Sequence, residues 1–358
     1  MLVKFVGHMQ VQSDKSEPVG LDYIEQTLRN LGLFYYWPNE GNLGDYLIAE
    51  ATRQLFRKMG IKWKEYNPHH IPEEEGYAVV YGGGGRFVSH WGGMNLFEEH
   101  LTRSQVQRCV ILPHSIHGVD SFVRALDERH TVFCRTRQTL AYCRVLNVRA
   151  EFMLAHDLGL ALHPGQLPAW PRNELELPQG ADEEAAVQYA LLSGGGEPHA
   201  WFRMRRATVR PPGAARKIAF LLRTDAERSI AVQVKYAYDL SLLYSGSCRE
   251  TPYSAMLVRL MADLLRYPDV VVTDRLHVAI MAMLVGREVY MLDNDYGKLS
   301  GVYEVSLKDR ANVHLLPPGE PWPEELKRAW SKLNSPWRNG YFAARAMAGR
   351  ILRKIKGK

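Results

Sequence analysis

Short apolar runs alternate with amphipathic stretches along most of the chain. Residues 33–37 (LFYYW) read as an aromatic-rich strand. Residues 38–45 form a turn with two glycines. Residues 46–59 then place Leu47, Ile48, Leu55, Phe56 and Met59 on one broad apolar face, which predicts a helix closed by Gly60. Further strands are predicted over Tyr77–Tyr81, 109–112, 131–134 and 152–154. A second series opens with a strand over 217–222 and continues with a helix over 253–265. It then gives a strand over Val270–Thr273, a helix over 278–284 ended by Gly286, and a strand over Glu288–Leu292.

Strands alternating with helices imply parallel sheets. The fold class expected is α/β, with two Rossmann-like domains facing across a cleft in a GT-B-like arrangement. A chain of 358 residues also favours two cores over one. The boundaries expected are 1–163 for an N-terminal Rossmann-like domain and 214–320 for a C-terminal one. Between them, 164–213 holds seven of the nineteen prolines and reads as a linker or insertion, with some helix near 182–192. Residues 321–358 form a basic helical tail.

Composition is that of a soluble globular protein, with 46% hydrophobic and 23% charged residues. No run approaches the roughly 20 apolar residues that span a bilayer, and residues 1–12 are too polar for a signal peptide. Four cysteines without metal spacing suggest a reduced, cytoplasmic protein. From 326 to 358 there are ten Lys and Arg and no Asp or Glu, which exceeds the whole net charge of +6. The body is therefore mildly acidic and the tail basic. No interleaved basic and aromatic platform marks a nucleic-acid binder. Within 340–358 an apolar stripe (Ala344, Met347, Ile351, Ile355) faces a basic side. That pattern suits a helix on an anionic membrane surface, or one folded back on the protein.

Chemistry concentrates where strands end. In the first half these positions are Asn42 and Asp45, the glycine run 82–85 with Gly83 and Gly84, His114, Arg135 and Asp157. In the second half they are Arg223, Arg275, Leu276, His277 and Lys298. Helix N-termini and the carboxyl edges of parallel sheets favour anions. Arg275 and His277 in the stretch VVVTDRLH suit a phosphate or carboxylate, and an Arg–Asp pair with a packed His satisfies the same residues. Asp45 equally serves as a helix cap. Three cations and a histidine converging on one cleft would hold a small di- or trianion.

Taken together, these motifs resemble the polysaccharide pyruvyl transferase family. The resemblance is carried by Gly41-Asn42-Leu43-Gly44-Asp45, glycines 82–85, Leu112-Pro113-His114-Ser115, Arg135, Asp157 and Arg223. It continues in family order with Thr273-Asp274-Arg275-Leu276-His277 and Tyr296-Gly297-Lys298. The segment after Arg135 reads Thr136-Arg137-Gln138-Thr139, where the family commonly shows an acidic residue and a serine. The resemblance implies phosphoenolpyruvate as co-substrate, no cofactor or metal, and a pyruvate ketal on a cell-surface polysaccharide or its lipid-linked precursor. Arg223, Arg275, Leu276 and Lys298 would then bind the donor. His277 and His114 would act as acid and base, and Asn42, Asp45, Gly83, Gly84 and Asp157 would meet the acceptor. A lipid-linked acceptor would place the protein peripherally on the inner membrane face through 340–358. Competing expectations are a nucleotide-sugar glycosyltransferase, which would use Asp293 or Asp295 on the ribose, and a non-catalytic polysaccharide-binding protein.

Overall fold

The computed structural model describes residues 17–73, 76–89, 92, 94–169, 175–225, 238–293 and 297–335. The expected membrane-surface helix at 340–358, and the residues Asn294, Asp295 and Tyr296, lie outside them. Lys298 opens the helix Lys298–Val302, and its side chain is likewise outside what is described.

The strands are β1 (Phe34–Trp37), β2 (Gly41–Asn42), β3 (Trp63–Glu65), β4 (Tyr77–Tyr81), β5 (Val106–His114), β6 (His130–Cys134) and β7 (Glu151–Leu154). They continue with β8 (Thr208–Val209), β9 (Ile218–Leu221), β10 (Ser245–Gly246), β11 (Val270–Thr273), β12 (Glu288–Leu292) and β13 (Val313–Leu316). One sheet has six strands in the order β3-β1-β4-β5-β6-β7, all parallel. The other has five in the order β13-β12-β11-β9-β8, parallel except for β8. Strands covered on both faces need continuous apolar sequence. Accordingly YAVVY, IAFL and VVVT are buried at every position.

Chain order reverses in the first sheet between β1 and β4. Such a switch point leaves a crevice at the carboxyl ends of the two strands. The loops that open there are 38–42 and 82–86.

The helix Leu43–Met59 has its apolar residues on two faces, broader than the single stripe the sequence suggests. Ile48, Leu55, Phe56 and Met59 pack with Phe34, Tyr36 and Val80 of the first sheet. Leu43, Tyr46, Leu47 and Ala51 join Leu257, Val258 and Ile280 in the core around the second sheet. Fourteen of its 17 residues are buried, including Glu50, Arg53 and Gln54. Arg53 is fully buried and donates to both oxygens of Glu65 at 3.0 Å and to the Cys248 carbonyl at 2.7 Å. The Tyr46 hydroxyl bonds Glu184 and accepts from the Cys248 amide. A short antiparallel ribbon, β2 with β10, completes this tie between the two halves of the chain.

The proline-rich stretch is mainly helical. Glu183–Ala190 matches the expected helix, and Glu197–Ala207 adds one that the sequence did not signal. Ala185, Leu192, Ala200 and Met204 bury themselves in the second core. All four cysteines are buried free thiols. Among the described residues no helix is long and apolar enough to cross a membrane.

Arg53 has no route to solvent once Glu65 and Cys248 enclose it. Arg53→Ala leaves Glu65 without its partner and the Cys248 carbonyl unpaired, and should cost about 3–5 kcal/mol. Equilibrium urea unfolding measures this.

Candidate functional site

A cavity of about 350 Å³ lies at the carboxyl ends of both sheets. Its first wall is Asn39, Gly41, Asn42, Asp45, Gly85 and Arg86 from the switch-point loops, with Arg135 beyond β6. Its second wall is Arg223, Asp225, Arg275, Leu276 and His277, with Ser241 and Leu242 at its side.

Among the described residues, two helix N-termini open on this cavity, and a capped 3₁₀ turn lies beneath it. Asn42 caps the helix Leu43–Met59: its Oδ1 accepts from the Gly44 amide at 2.8 Å, while Asp45 Oδ2 accepts from the Asn42 amide at 2.9 Å. Asp157 caps the 3₁₀ turn Leu158–Ala161 through the Gly159 amide at 2.8 Å. Arg275 precedes the helix Leu276–Leu284. The partial positive charge of these ends adds to that of the side chains.

The two second-wall arginines leave adjacent parallel strands. Leu221 pairs with Thr273, and Arg223 and Arg275 each sit two residues farther on. The Arg–Asp pairing open in the sequence does form at Arg275, with Asp239 and Asp225 as its carboxylates. Asp274 instead accepts from the Arg223 amide at 2.7 Å. Arg275 is gripped through Nε at 3.0 Å and Nη2 at 2.6 Å by buried Asp239. Arg223 is gripped through Nε at 2.8 Å and Nη2 at 3.0 Å by Asp225. Arg223 and Arg275 therefore both stand in the cavity wall, and each is held by a carboxylate.

His277 packs directly on the start of the Leu43–Met59 helix. A Cβ on Gly44 would stand 2.8 Å from His277 Nδ1 and 2.9 Å from its Cβ, so only glycine fits. On the other side, His277 Nε2 lies 3.5 Å from Asp157 Oδ2, within ion-pair reach but long for a hydrogen bond. The same Asp157 oxygen accepts from Arg135 Nη1 at 2.9 Å, and Arg135 Nε donates to Ser115 at 2.8 Å. Burial would raise the Asp157 pKa. The nearby charge of His277, the Arg135 guanidinium and the Gly159 amide together outweigh it and hold the group well below the usual carboxylate range. Asp157 is thus a permanent anion beneath the cavity, 1% exposed, and touches His277 rather than the open space. Asp45 is the opposite case. Burial raises its pKa, against the opposing charge of His277 and the bond from Asn39 at 2.7 Å.

His114, expected to act on an acceptor hydroxyl, is fully buried behind the glycine loop. Its Nε2 accepts the amides of Arg86 at 3.0 Å and Phe87 at 3.3 Å, and its Nδ1 meets the Gly82 carbonyl at 3.2 Å. Burial, then the Arg135 charge, push its pKa down to about 3. It holds the loop in shape. Gly83 and Gly84 are also buried, where a Cβ would come within 2.9 Å of the Pro113 carbonyl or 2.7 Å of Asn39. Gly85 is the glycine that reaches the cavity. Arg86, Asn39, Glu40 and Asp225 were missed in the sequence, although each adjoins a singled-out motif. Arg135 lies in the cavity wall despite the altered segment that follows it. Among the described residues, no group of three or more His, Cys, Asp or Glu is placed to hold a metal ion.

The family model for polysaccharide pyruvyl transferase matches residues 42–296. EpsO of Bacillus subtilis, provisionally named a pyruvyl transferase, is 24% identical over 293 residues, covering 78% of this chain and 86% of EpsO. A crystal structure of an uncharacterized Klebsiella pneumoniae protein shares the fold. It has a TM-score of 0.61 and 22% identity, and the match covers 83% of this chain and 96% of that one.

Two outcomes follow from this geometry. Gly44→Ala should displace His277, lower turnover about 10²-fold and cost about 1–3 kcal/mol of stability through the overpacked contact, read by steady-state kinetics and denaturant unfolding. For His114, the unfolded chain takes up a proton near pH 6.5 and the folded protein only near 3. Its neutral form therefore stabilises the fold above about pH 6.5, and that contribution is lost by about 1.4 kcal/mol per unit as pH falls toward 3. His114→Gln should flatten the decline of stability between about pH 6 and 4 relative to wild type, read by denaturant unfolding at each pH.

Proposed function

The chain belongs to the polysaccharide pyruvyl transferase family, and from that premise we propose that it transfers pyruvate from phosphoenolpyruvate to a saccharide, forming a ketal and releasing phosphate. One observation carries the reading. Two arginines and a histidine from the second sheet's carboxyl edge face the switch-point loops of the first sheet across a single cavity. Phosphoenolpyruvate puts a carboxylate and a phosphate on three carbons, and needs several donors in so small a volume. Arg223 and Arg275, with the N-terminus of the helix Leu276–Leu284, supply them on the donor side. Lys298 is assigned to the leaving phosphate. Asn42, Asp45, Gly85 and Arg86 form the acceptor side. The architecture is read as two Rossmann-like domains, 1–163 and 214–320, in the GT-B manner.

The chemistry sets the proton balance. The methylene carbon gains a proton and becomes the methyl group. One sugar hydroxyl bonds to the central carbon and loses its proton. The carbon–oxygen bond to phosphate then breaks, a second hydroxyl closes the ring, and its proton leaves with the phosphate. We assign His277, which lines the cavity, to the first of these protons. Asp157, fixed as a carboxylate, stabilises the imidazolium that forms whenever the ring holds one. His114 has no part in this, because both of its nitrogens are engaged in the glycine loop.

The nucleotide-sugar alternative loses one expected ribose ligand, since Asp293 accepts the Leu299 and Ser300 amides at 3.0 and 3.2 Å. The basic tail is assigned to an anionic membrane surface, which suits a lipid-linked acceptor.

Titration calorimetry with phosphoenolpyruvate, UDP and inorganic phosphate separates the readings. Phosphoenolpyruvate should bind the wild type, and Arg275→Ala should weaken it at least about tenfold. Binding of UDP alone sinks the proposal. His277→Ala should keep donor affinity and lose about 10²–10⁴-fold in kcat; wild-type turnover would remove it from the chemistry. Deleting 340–358 should release the protein from vesicles containing phosphatidylglycerol, and retained binding would assign the tail to the fold.

A further inference from the structure

Among the described residues, Asp225 is one of three carboxylates on the cavity wall, with Glu40 and Asp45, and the one beside the two donor-side arginines. Its charge subtracts from the clamp, so its position calls for a physical cause. Arg223 and Arg275 emerge from adjacent parallel strands at equivalent positions, and strand spacing of about 4.8 Å brings two like charges side by side. One Asp225 oxygen joins them. Its Oδ2 accepts from Arg223 Nη2 at 3.0 Å and from Arg275 Nη2 at 2.7 Å, while its Oδ1 accepts from Arg223 Nε at 2.8 Å. Asp239 plays a different part. It is 4% exposed at the side chain, holds Arg275 from below, and is itself fixed by the Thr224 amide at 3.0 Å. The Asp225 side chain is 28% exposed and stands on the cavity side.

We propose that Asp225 is the positioning residue of the donor site, coupling Arg223 and Arg275 into one rigid clamp for a carboxylate or phosphate. This rests on the donor reading above. Without Asp225 the bridge between the guanidiniums is lost: Arg275 keeps its grip on Asp239, and the spacing of Arg223 from it must be set when an anion binds. With it, their spacing is set before the donor arrives, so no reorganisation accompanies binding. The opposite role, an internal anion that the donor must displace, predicts the opposite sign.

The test compares full-length wild type, Asp225→Ala and Asp225→Asn. Calorimetry gives the Kd for phosphoenolpyruvate and for inorganic phosphate, and steady-state kinetics give kcat and KM. Asp225→Ala should raise the Kd and KM for phosphoenolpyruvate about tenfold, with kcat nearly unchanged and the melting temperature retained. Added formate, which can re-bridge the two arginines, should restore part of the loss. Asp225→Asn, which keeps one acceptor oxygen, should fall between the two, and it decides the matter if the alanine variant does not fold. Unchanged binding in the variants, or tighter binding as for a displaced competitor, overturns the proposal. Wild type that binds inorganic phosphate but not phosphoenolpyruvate refutes the donor reading alone, and the clamp is then read from phosphate affinity. Wild type that binds neither anion refutes both.

Discussion

The helix Leu43–Met59 must satisfy two hydrophobic cores at once, and the site depends on that constraint. Its two apolar faces pack against opposite sheets. Its polar residues are consequently buried and need partners from both sides, which Glu65, Glu184 and the Cys248 backbone provide. A helix held in this way cannot slide or rotate without opening both cores. Its N-terminus therefore enters the cavity at a set height, with Gly44 against His277 and Asp45 against Asn39. A surface helix of the same sequence would leave those contacts to chance.

Charge balance is the second organising feature. Arg135, Arg223 and Arg275 line the cavity, and each rests on a carboxylate: Asp157, Asp225 and Asp239. Unpaired guanidiniums this close together would repel and would each lose hydration on burial. Pairing removes both costs and aligns the groups, while the helix ends add partial positive charge at the cavity. The site thereby trades raw attraction for preorganisation.

Much of the framework was legible in the residues. YAVVY and VVVT become strands with the bounds their apolar runs suggest, because a strand covered on both faces has little freedom in composition; EVYML keeps its bounds with alternate positions half-buried. Trp63–Glu65 and Val313–Leu316 were not legible. They are short edge strands whose ordering comes from a neighbour's backbone, not from a pattern of their own. The Glu197–Ala207 helix was hidden for a related reason: its Gly-Pro surroundings read as loop, yet Ala200 and Met204 gain burial in the second core. His114 shows the limit of motif reading most clearly. A histidine at a strand end looks the same in sequence whether it faces solvent or accepts two backbone amides from behind a loop.

By itself the sequence determined the alternation of strand and helix, the strand-end positions of Asn42, Asp45, Arg135, Asp157, Arg223, Arg275 and His277, and the family resemblance they carry. These are local properties, set by apolar periodicity and by residue type at a junction. Only the tertiary structure decided which of those residues meet. Asp157 and His277 are 120 positions apart and stand 3.5 Å apart, and Asp225 joins arginines whose strands are separated by a whole helical crossover. Pairings of this kind depend on sheet order and on the depth of burial. Both emerge from packing the entire chain, so no local stretch encodes them.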